Sequence, residues 1–266
     1  MPLKTLIITQ EDCLYLPQFL DTVLRHRRQN VVGITILPTL MPKQTWFSTA
    51  REHLEVYGAG QFLKQSIRYA WRKALGLASA RMPLPGAFSV EAVAKKHQLN
   101  ELPTPNVNAA DYHERIRALG VDLIISINAS QVFRRDILAL PRLGCINVHG
   151  ALLPRYRGRL PSFWVLANGE KETGATVHFM NEDLDDGPIL LQERVEIRAD
   201  DTQDALIRRT KAAGAQLIIQ AIDKLEAADD MAGVETRPNN RDEATYFSFP
   251  TREDGQRLRQ QGRRLL

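Results

Sequence analysis

Residues 5–37 read TLIITQEDCLYLPQFLDTVLRHRRQNVVGITIL. Two short, β-branched apolar runs, residues 5–9 and 31–37, flank a segment whose apolar residues fall at helical spacing over 16–26. Buried strands read as near-continuous apolar runs, whereas amphipathic helices repeat every three or four residues. A strand, a helix and a second strand in this order form a crossover unit, and such units join parallel strands. The fold class expected is therefore α/β, with a doubly wound, mainly parallel sheet. The turn after the first strand is Gln10-Glu11-Asp12. It is not G-x-G-x-x-G, so a dinucleotide site loses its main support.

Working outward, residues 121–127 (VDLIISI) form a further buried strand, 145–148 a short one, and 175–180 (ATVHFM) and 189–197 two more. Helices are expected over 90–97, 111–119 (ended by Gly120), 133–140, 162–168 and 202–225, with 244–249 as a short strand. Residues 62–77 (FLKQSIRYAWRKALGL) also read as a helix, with Leu63, Ile67, Ala70, Trp71 and Ala74 on one face and Lys64, Arg68, Arg72 and Lys73 largely opposite. Such a basic amphipathic helix fits a membrane surface or a partner. The plainer expectation, preferred here, is a helix packed on the sheet with its basic face solvated. A Met82-Pro83-Leu84-Pro85-Gly86 break follows. The expected organisation is a catalytic domain over 1–200, with an inserted helical segment at about 42–85, then a C-terminal helix and extension over 201–266. Residues 257–264 read as a solvated basic tail.

The 266 residues are 44% apolar, enough for a sizeable core. A formal charge of +4 fits an anionic small substrate, a nucleic acid or an acidic membrane and selects none of them. Cys13 and Cys145 are the two cysteines, in no paired or metal-type spacing, which points to reduced thiols in a cytoplasmic protein. The first apolar run is too short for a signal peptide, and no run approaches the ~20 residues of a membrane span.

The chemistry concentrates between Gly144 and Leu190. In an extended run, Asn147 and His149 point to the same side. That places an amide donor and an imidazole together at the C-terminal edge of a parallel sheet, where open α/β folds bind ligands. Histidine titrates near neutral pH, and an asparagine N–H can stabilise an oxyanion. Asp185 lies in an acidic turn, residues 181–188, whose spacing is not that of a calcium loop.

Taken together, two segments resemble the folate-dependent formyltransferase superfamily, which includes glycinamide ribonucleotide, methionyl-tRNA and sugar N-formyltransferases. One is Asn147-Val148-His149-Gly150-Ala151-Leu152-Leu153-Pro154-Arg155-Tyr156-Arg157-Gly158, similar to N-x-H-x-S-L-L-P-x-Y-x-G. The other is Gly174-Ala175-Thr176-Val177-His178-Phe179-Met180 with the turn Leu184-Asp185-Asp186-Gly187, similar to a G-x-[ST]-V strand and an L-D-x-G turn. Ala151 stands where serine is frequent, and the first turn lacks the family's common glycine.

The resemblance implies a Rossmann-like formyltransferase fold, 10-formyltetrahydrofolate as co-substrate, no metal, and catalysis by Asn147, His149 and Asp185. Asn147 and protonated His149 would donate to the formyl oxygen, with Asp185 orienting the ring and helping to move the amine proton. It places the folate beneath Ser130, Gln131, Val132 and Phe133 on one loop and Glu182, Asp183 and Leu184 on another. Arg155 and Arg157, just past the catalytic strand, are candidates to meet an anionic substrate; the alternative is plain solvent exposure.

The expected acceptor is a primary amine on a small molecule, an amino sugar or specialised metabolite, with no nucleic-acid partner. Methionyl-tRNA enzymes resembling this chain carry a further C-terminal barrel, for which the residues after Asp201 leave no room. A 10-formyltetrahydrofolate hydrolase would use the same triad with water. Hydrolases of this family usually carry an extra N-terminal domain, for which a strand at Thr5 leaves no space. A non-catalytic binding protein is disfavoured by the complete triad.

Overall fold

The computed structural model describes residues 2–39, 45–79, 86–228 and 233–266. Strands β1 (Thr5–Gln10), β2 (Val31–Leu37), β3 (Leu123–Ile127) and β4 (Cys145–His149) run parallel, while β6 (Glu172–Phe179) and β7 (Ile189–Glu196) are antiparallel neighbours. The sheet order is β2-β1-β3-β4-β6-β7. The sheet is thus mainly parallel, and its one reversed strand, β6, lies beside the strand that carries Asn147 and His149. A second, two-stranded sheet pairs β5 (Arg157–Gly158) with β8 (Tyr246–Phe247).

Helices cover both faces, as parallel strands with apolar residues on both sides require. On one face α1 (Leu16–Arg27), α3 (Val90–Lys96) and the long α7 (Gln203–Glu226) pack against Ile7, Ile125, Ile146, Val148 and Val177. On the other, α4 (Ala110–Leu119) and α5 (Arg135–Leu138) enclose Leu6, Ile8, Ile124 and Cys145. Alternation along β4 therefore turns Ile146 and Val148 toward α7, and Cys145, Asn147 and His149 toward the α4–α5 side. Both cysteines are free and buried.

A third core surrounds α6 (Pro161–Ala167) and α8 (Arg252–Gln260) and includes Val56, Tyr57, Phe163, Leu258 and Leu265. The tail expected to be solvated is anchored here through Leu258 and Leu265, while Arg257, Arg259 and Arg264 stay exposed. Thr251 and Asp254 form a reciprocal capping box that starts α8. Gly255 lies so close to the Val56 carbonyl that an added Cβ would sit 2.0 Å from it. Arg263 donates to the carbonyls of Arg198 and Ala199.

The inserted segment is one long helix, α2 (Trp46–Ser79), interrupted at Gly58, whose φ of 77° no helix admits. Its faces are reversed relative to the preferred expectation. Arg68 pairs with Asp204 at 2.7 Å, and Arg72 donates to the Cys13 and Ala87 carbonyls. The apolar face is the one left in solvent. The break expected at Met82–Pro85 lies outside the described residues. Among the described residues, no helix is long and apolar enough to cross a membrane.

Candidate active site

The reversed direction of β6 builds the site. β4 and β6 pair Asn147 with His178 and His149 with Thr176. The chain leaves β6 beside the start of β4, where Met180 N–H donates to the Cys145 carbonyl at 2.8 Å. The following turn then folds back over the face of β4, so that Asp185 reaches His149 at the strand's end. Gly187 permits this fold-back, since an added Cβ would sit 1.9 Å from the Phe179 carbonyl oxygen. The site consequently lies on one face of β4 as well as at its edge.

Three side chains expected to act together do meet. Asn147, half-buried, has its Nδ2 3.2 Å from His178 Nε2. His149 is 6% exposed. Its Nε2 donates to the Tyr156 carbonyl at 2.7 Å, and its Nδ1 lies 3.4 Å from Asp185 Oδ2. Asp185 Oδ2 accepts the Gly158 N–H at 2.9 Å, and its Oδ1 lies 3.6 Å from His178 Nε2. Burial pushes the Asp185 carboxyl upward, but the His149 charge, His178 and the Gly158 N–H together hold it well below the usual carboxylate range.

His178 is a participant to which sequence reasoning assigned no role. Its Nδ1 donates to the Phe179 carbonyl at 2.8 Å, and its Nε2 faces both Asn147 Nδ2 and the Asp185 carboxylate. The available signal was a second histidine on a strand facing the Asn-x-His strand. Thr176 is another: its hydroxyl donates to the Ala151 carbonyl at 2.6 Å and accepts from Gln192 at 2.8 Å, fixing the loop after His149.

Tyr156 and Asp185, which grip opposite sides of the His149 ring, both have left-handed backbone, with φ of 62° and 53°. Non-glycine residues hold this conformation at a cost of about 1–3 kcal/mol, and only where their surroundings impose it. The surroundings here are the segment after α7. Tyr156 stacks on Phe247 at 5.2 Å, and its N–H donates to Thr245 Oγ1 at 2.8 Å. Asn239 Nδ2 donates to the carbonyls of Asp185 and Gly187 at 2.9 and 3.0 Å. Arg157 is buried, bonds Asp186 and donates to Asn239 Oδ1 at 2.9 Å. Arg241 grips Asp183 and Asp186 from outside.

This reassigns two candidates. Arg157 is locked into the buried Asp186–Asn239 network and offers no free face to a substrate. Arg155 is exposed but pairs with Glu170 and lies 5.3 Å over the Tyr156 ring.

The two loops expected around a folate do face each other. Val132, Phe133, Arg134, Arg135, Asp136 and Glu182 line a cleft of about 390 Å³. Val132 and Leu184 are exposed, and Glu182 and Asp183 lie on the turn's outer side. Phe133 is 2% exposed and belongs to the core with Ile137 and Cys145, so it is floor rather than open wall. Ser130 and Gln131 turn inward, Ser130 donating to the Pro38 carbonyl and Gln131 bonding Val107 and Pro105; both act as braces for the loop. Among the described residues, no cluster of His, Cys, Asp and Glu is arranged to hold a metal ion.

A reversed strand thus lies beside a doubly wound parallel sheet, with an amide, two imidazoles and a carboxylate at their junction. The chain belongs to the formyl transferase family, whose model matches residues 72–222. It is 36% identical over 165 residues to a methionyl-tRNA formyltransferase of Kosmotoga olearia, covering 62% of this chain and 52% of that protein. It is 38% identical over 168 residues to that of Citrifermentans bemidjiense, covering 62% and 51%. The chain thus spans about half the length of these relatives. In fold it is similar to an N-formyltransferase of Helicobacter canadensis in complex with folinic acid and dTDP-3-aminofucose (TM-score 0.58, 16% identity, 92% of this chain and 71% of that one). It is also similar to glycinamide ribonucleotide transformylase 1 of Symbiobacterium toebii (TM-score 0.57, 18% identity, 90% and 95%).

Proposed function

We propose that this protein is an N-formyltransferase that moves a formyl group from 10-formyltetrahydrofolate to a primary amine. The observation that carries the reading is the convergence of His149 and His178 on a single buried carboxylate, Asp185, with Asn147 joined to it through His178.

The donor supplies a formyl carbon already activated for attack by an amine. Asn147 supplies an uncharged N–H to the charge that grows on the formyl oxygen. Since His149 Nε2 is taken by the Tyr156 carbonyl, the nitrogen available for proton transfer is Nδ1, which faces Asp185. Asp185, ionised, takes the amine proton, directly or through water, as the new C–N bond forms, and the proton passes to N10 of the leaving tetrahydrofolate as the formyl C–N10 bond breaks. The Val132–Asp136 and Glu182 cleft would hold the folate, with Ser130 and Gln131 setting the loop and Glu182, Asp183 and Leu184 lying over it.

For the acceptor we favour the amine of an amino sugar. The supporting observation is the likeness over 92% of this chain to an N-formyltransferase complexed with a dTDP-amino sugar. A second reading, methionyl-tRNA as acceptor, is favoured by the higher identity of the methionyl-tRNA formyltransferases across the catalytic segment. The decisive experiment follows tetrahydrofolate release by absorbance with no acceptor, a panel of nucleotide-linked amino sugars, or methionyl-tRNA. Release dependent on an amino sugar supports the first reading. Release dependent on the tRNA supports the second. Release without any acceptor makes the protein a hydrolase and overturns both.

A further inference from the structure

Among the described residues, none covers the apolar side of helix α2. Leu63, Ile67, Ala70, Ala74 and Leu77 recur in steps of four and three, with Trp71 beside them. Such spacing draws one stripe along a helix, roughly 100° wide. In a helix packed on a domain, that stripe faces the core. Here Leu63, Ile67, Trp71 and Leu77 are 60%, 62%, 65% and 69% exposed. Earlier in the same helix, Phe47 is 89% exposed.

The opposite side is the one the domain holds. Arg68 pairs with Asp204, and its guanidinium lies 5.8 Å from the Tyr15 ring. Arg72 spans to the Cys13 and Ala87 carbonyls at 2.8 and 2.9 Å and lies over Phe88. These bonds fix the rotation of the helix, so the stripe cannot turn inward without breaking them. A continuous apolar stripe on a charged protein marks a contact surface.

Charge identifies the contact. Lys64 and Lys73 are exposed and border the stripe on its two sides. No acidic residue occurs between Val56 and Val90. Docking a second copy along this seam would bring flanking lysines against lysines, the arrangement that sets helices apart. A surface carrying negative charge removes that conflict. An apolar stripe bearing a tryptophan, rimmed by lysines that extend their stems and keep their heads in water, suits the headgroup–acyl boundary of a bilayer.

We propose that α2 docks on an anionic lipid surface. The helix lies parallel to the membrane, with Leu63, Ile67, Trp71 and Leu77 below the headgroups and Lys64 and Lys73 among them. The inference is independent of the reaction the site performs.

The test is co-sedimentation of the full chain with vesicles of phosphatidylcholine, alone or with about 30% phosphatidylglycerol. Partition is expected to be about tenfold stronger on the anionic vesicles and to fall with salt. Ile67→Glu and Trp71→Glu should each abolish it, and Lys64→Glu with Lys73→Glu should weaken it several-fold. These side chains are exposed, so circular dichroism and formyl transfer should be unchanged. Absence of wild-type partition, or partition indifferent to Ile67→Glu, overturns the proposal. So does a wild-type dimer in sedimentation that Ile67→Glu converts to monomer while neither form binds vesicles, which would assign the stripe to a second copy.

Discussion

Asn239 donates from its side-chain Nδ2 to the backbone carbonyl of Asp185 at 2.9 Å, across 54 positions of sequence. A second bond from the same nitrogen reaches the Gly187 carbonyl at 3.0 Å. One amide thus clamps both sides of the acidic turn. Because Asp185 has φ of 53°, its position depends on such imposed contacts. Asn239→Ala is expected to lower kcat at least about tenfold while leaving KM for the amine nearly unchanged, since the loss is in carboxylate placement. A kcat within twofold of wild type would remove Asn239 from the catalytic account.

Asn147 is half-buried and uncharged, beside the buried His149, His178 and Asp185. Asn147→Ala should reduce kcat by about 10²–10³, the usual effect of deleting an oxyanion donor. Asn147→Asp should do no better, because it places a second carboxylate near Asp185 and removes both N–H groups. Steady-state kinetics with saturating folate would check both, and activity of Asn147→Asp near wild type would exclude the donor role.

Asp186 ties pH to stability. Hydrogen bonds from Arg241, opposed by burial and reinforced by Asn181 and Arg157, lower its carboxyl to about 2. Folding therefore favours the ionised form. The contribution is fully present above the ordinary aspartate value, and it is lost as pH falls from about 4 toward 2. Its size is roughly 2 kcal/mol. Denaturant unfolding at pH 5 and pH 3 should show about half of this loss, ~1 kcal/mol, in the wild type and a flatter pH dependence in Asp186→Asn, whatever the variant's absolute stability. An unchanged slope would show that other carboxylates control the acid limb.

Gly187→Ala would drive a methyl group into the Phe179 carbonyl, 1.9 Å from the ideal Cβ position. Backbone atoms cannot yield as a flexible side chain can. The turn must lift from β6, and stability is expected to fall by more than about 2 kcal/mol. A thermal midpoint equal to wild type would mean that the turn has another seat.

Much of this fold was readable from local pattern. The strands at 5–10, 31–37 and 123–127 are short, mainly apolar runs rich in β-branched residues and buried on both faces. Asn147, His149 and Asp185 were legible because residue type and spacing coincide across two segments. His178 escaped because its role depends on β6 running antiparallel to β4, a pairing that no local period records. Arg157 looked available because it follows the catalytic strand, yet its partners are Asp186 and Asn239, far away in sequence. The amphipathicity of 62–77 was visible, but which face turns inward was decided by Asp204, Cys13 and Ala87. The usual preference for burying the apolar side gave the wrong answer there.

The brace supplied by Asn239 and Arg241 sets the smallest piece of this chain worth transplanting. The span that matches the formyl transferase family, residues 72–222, contains Asn147, His149, His178 and Asp185, yet ends before either brace residue. It also omits Phe247, on which Tyr156 stacks, and Val56, against which α8 is seated. A chimera cut at the boundaries of family likeness would inherit every residue proposed to react and lose the parts that position them. Exchange of the reaction centre between scaffolds has to carry the downstream segment with it.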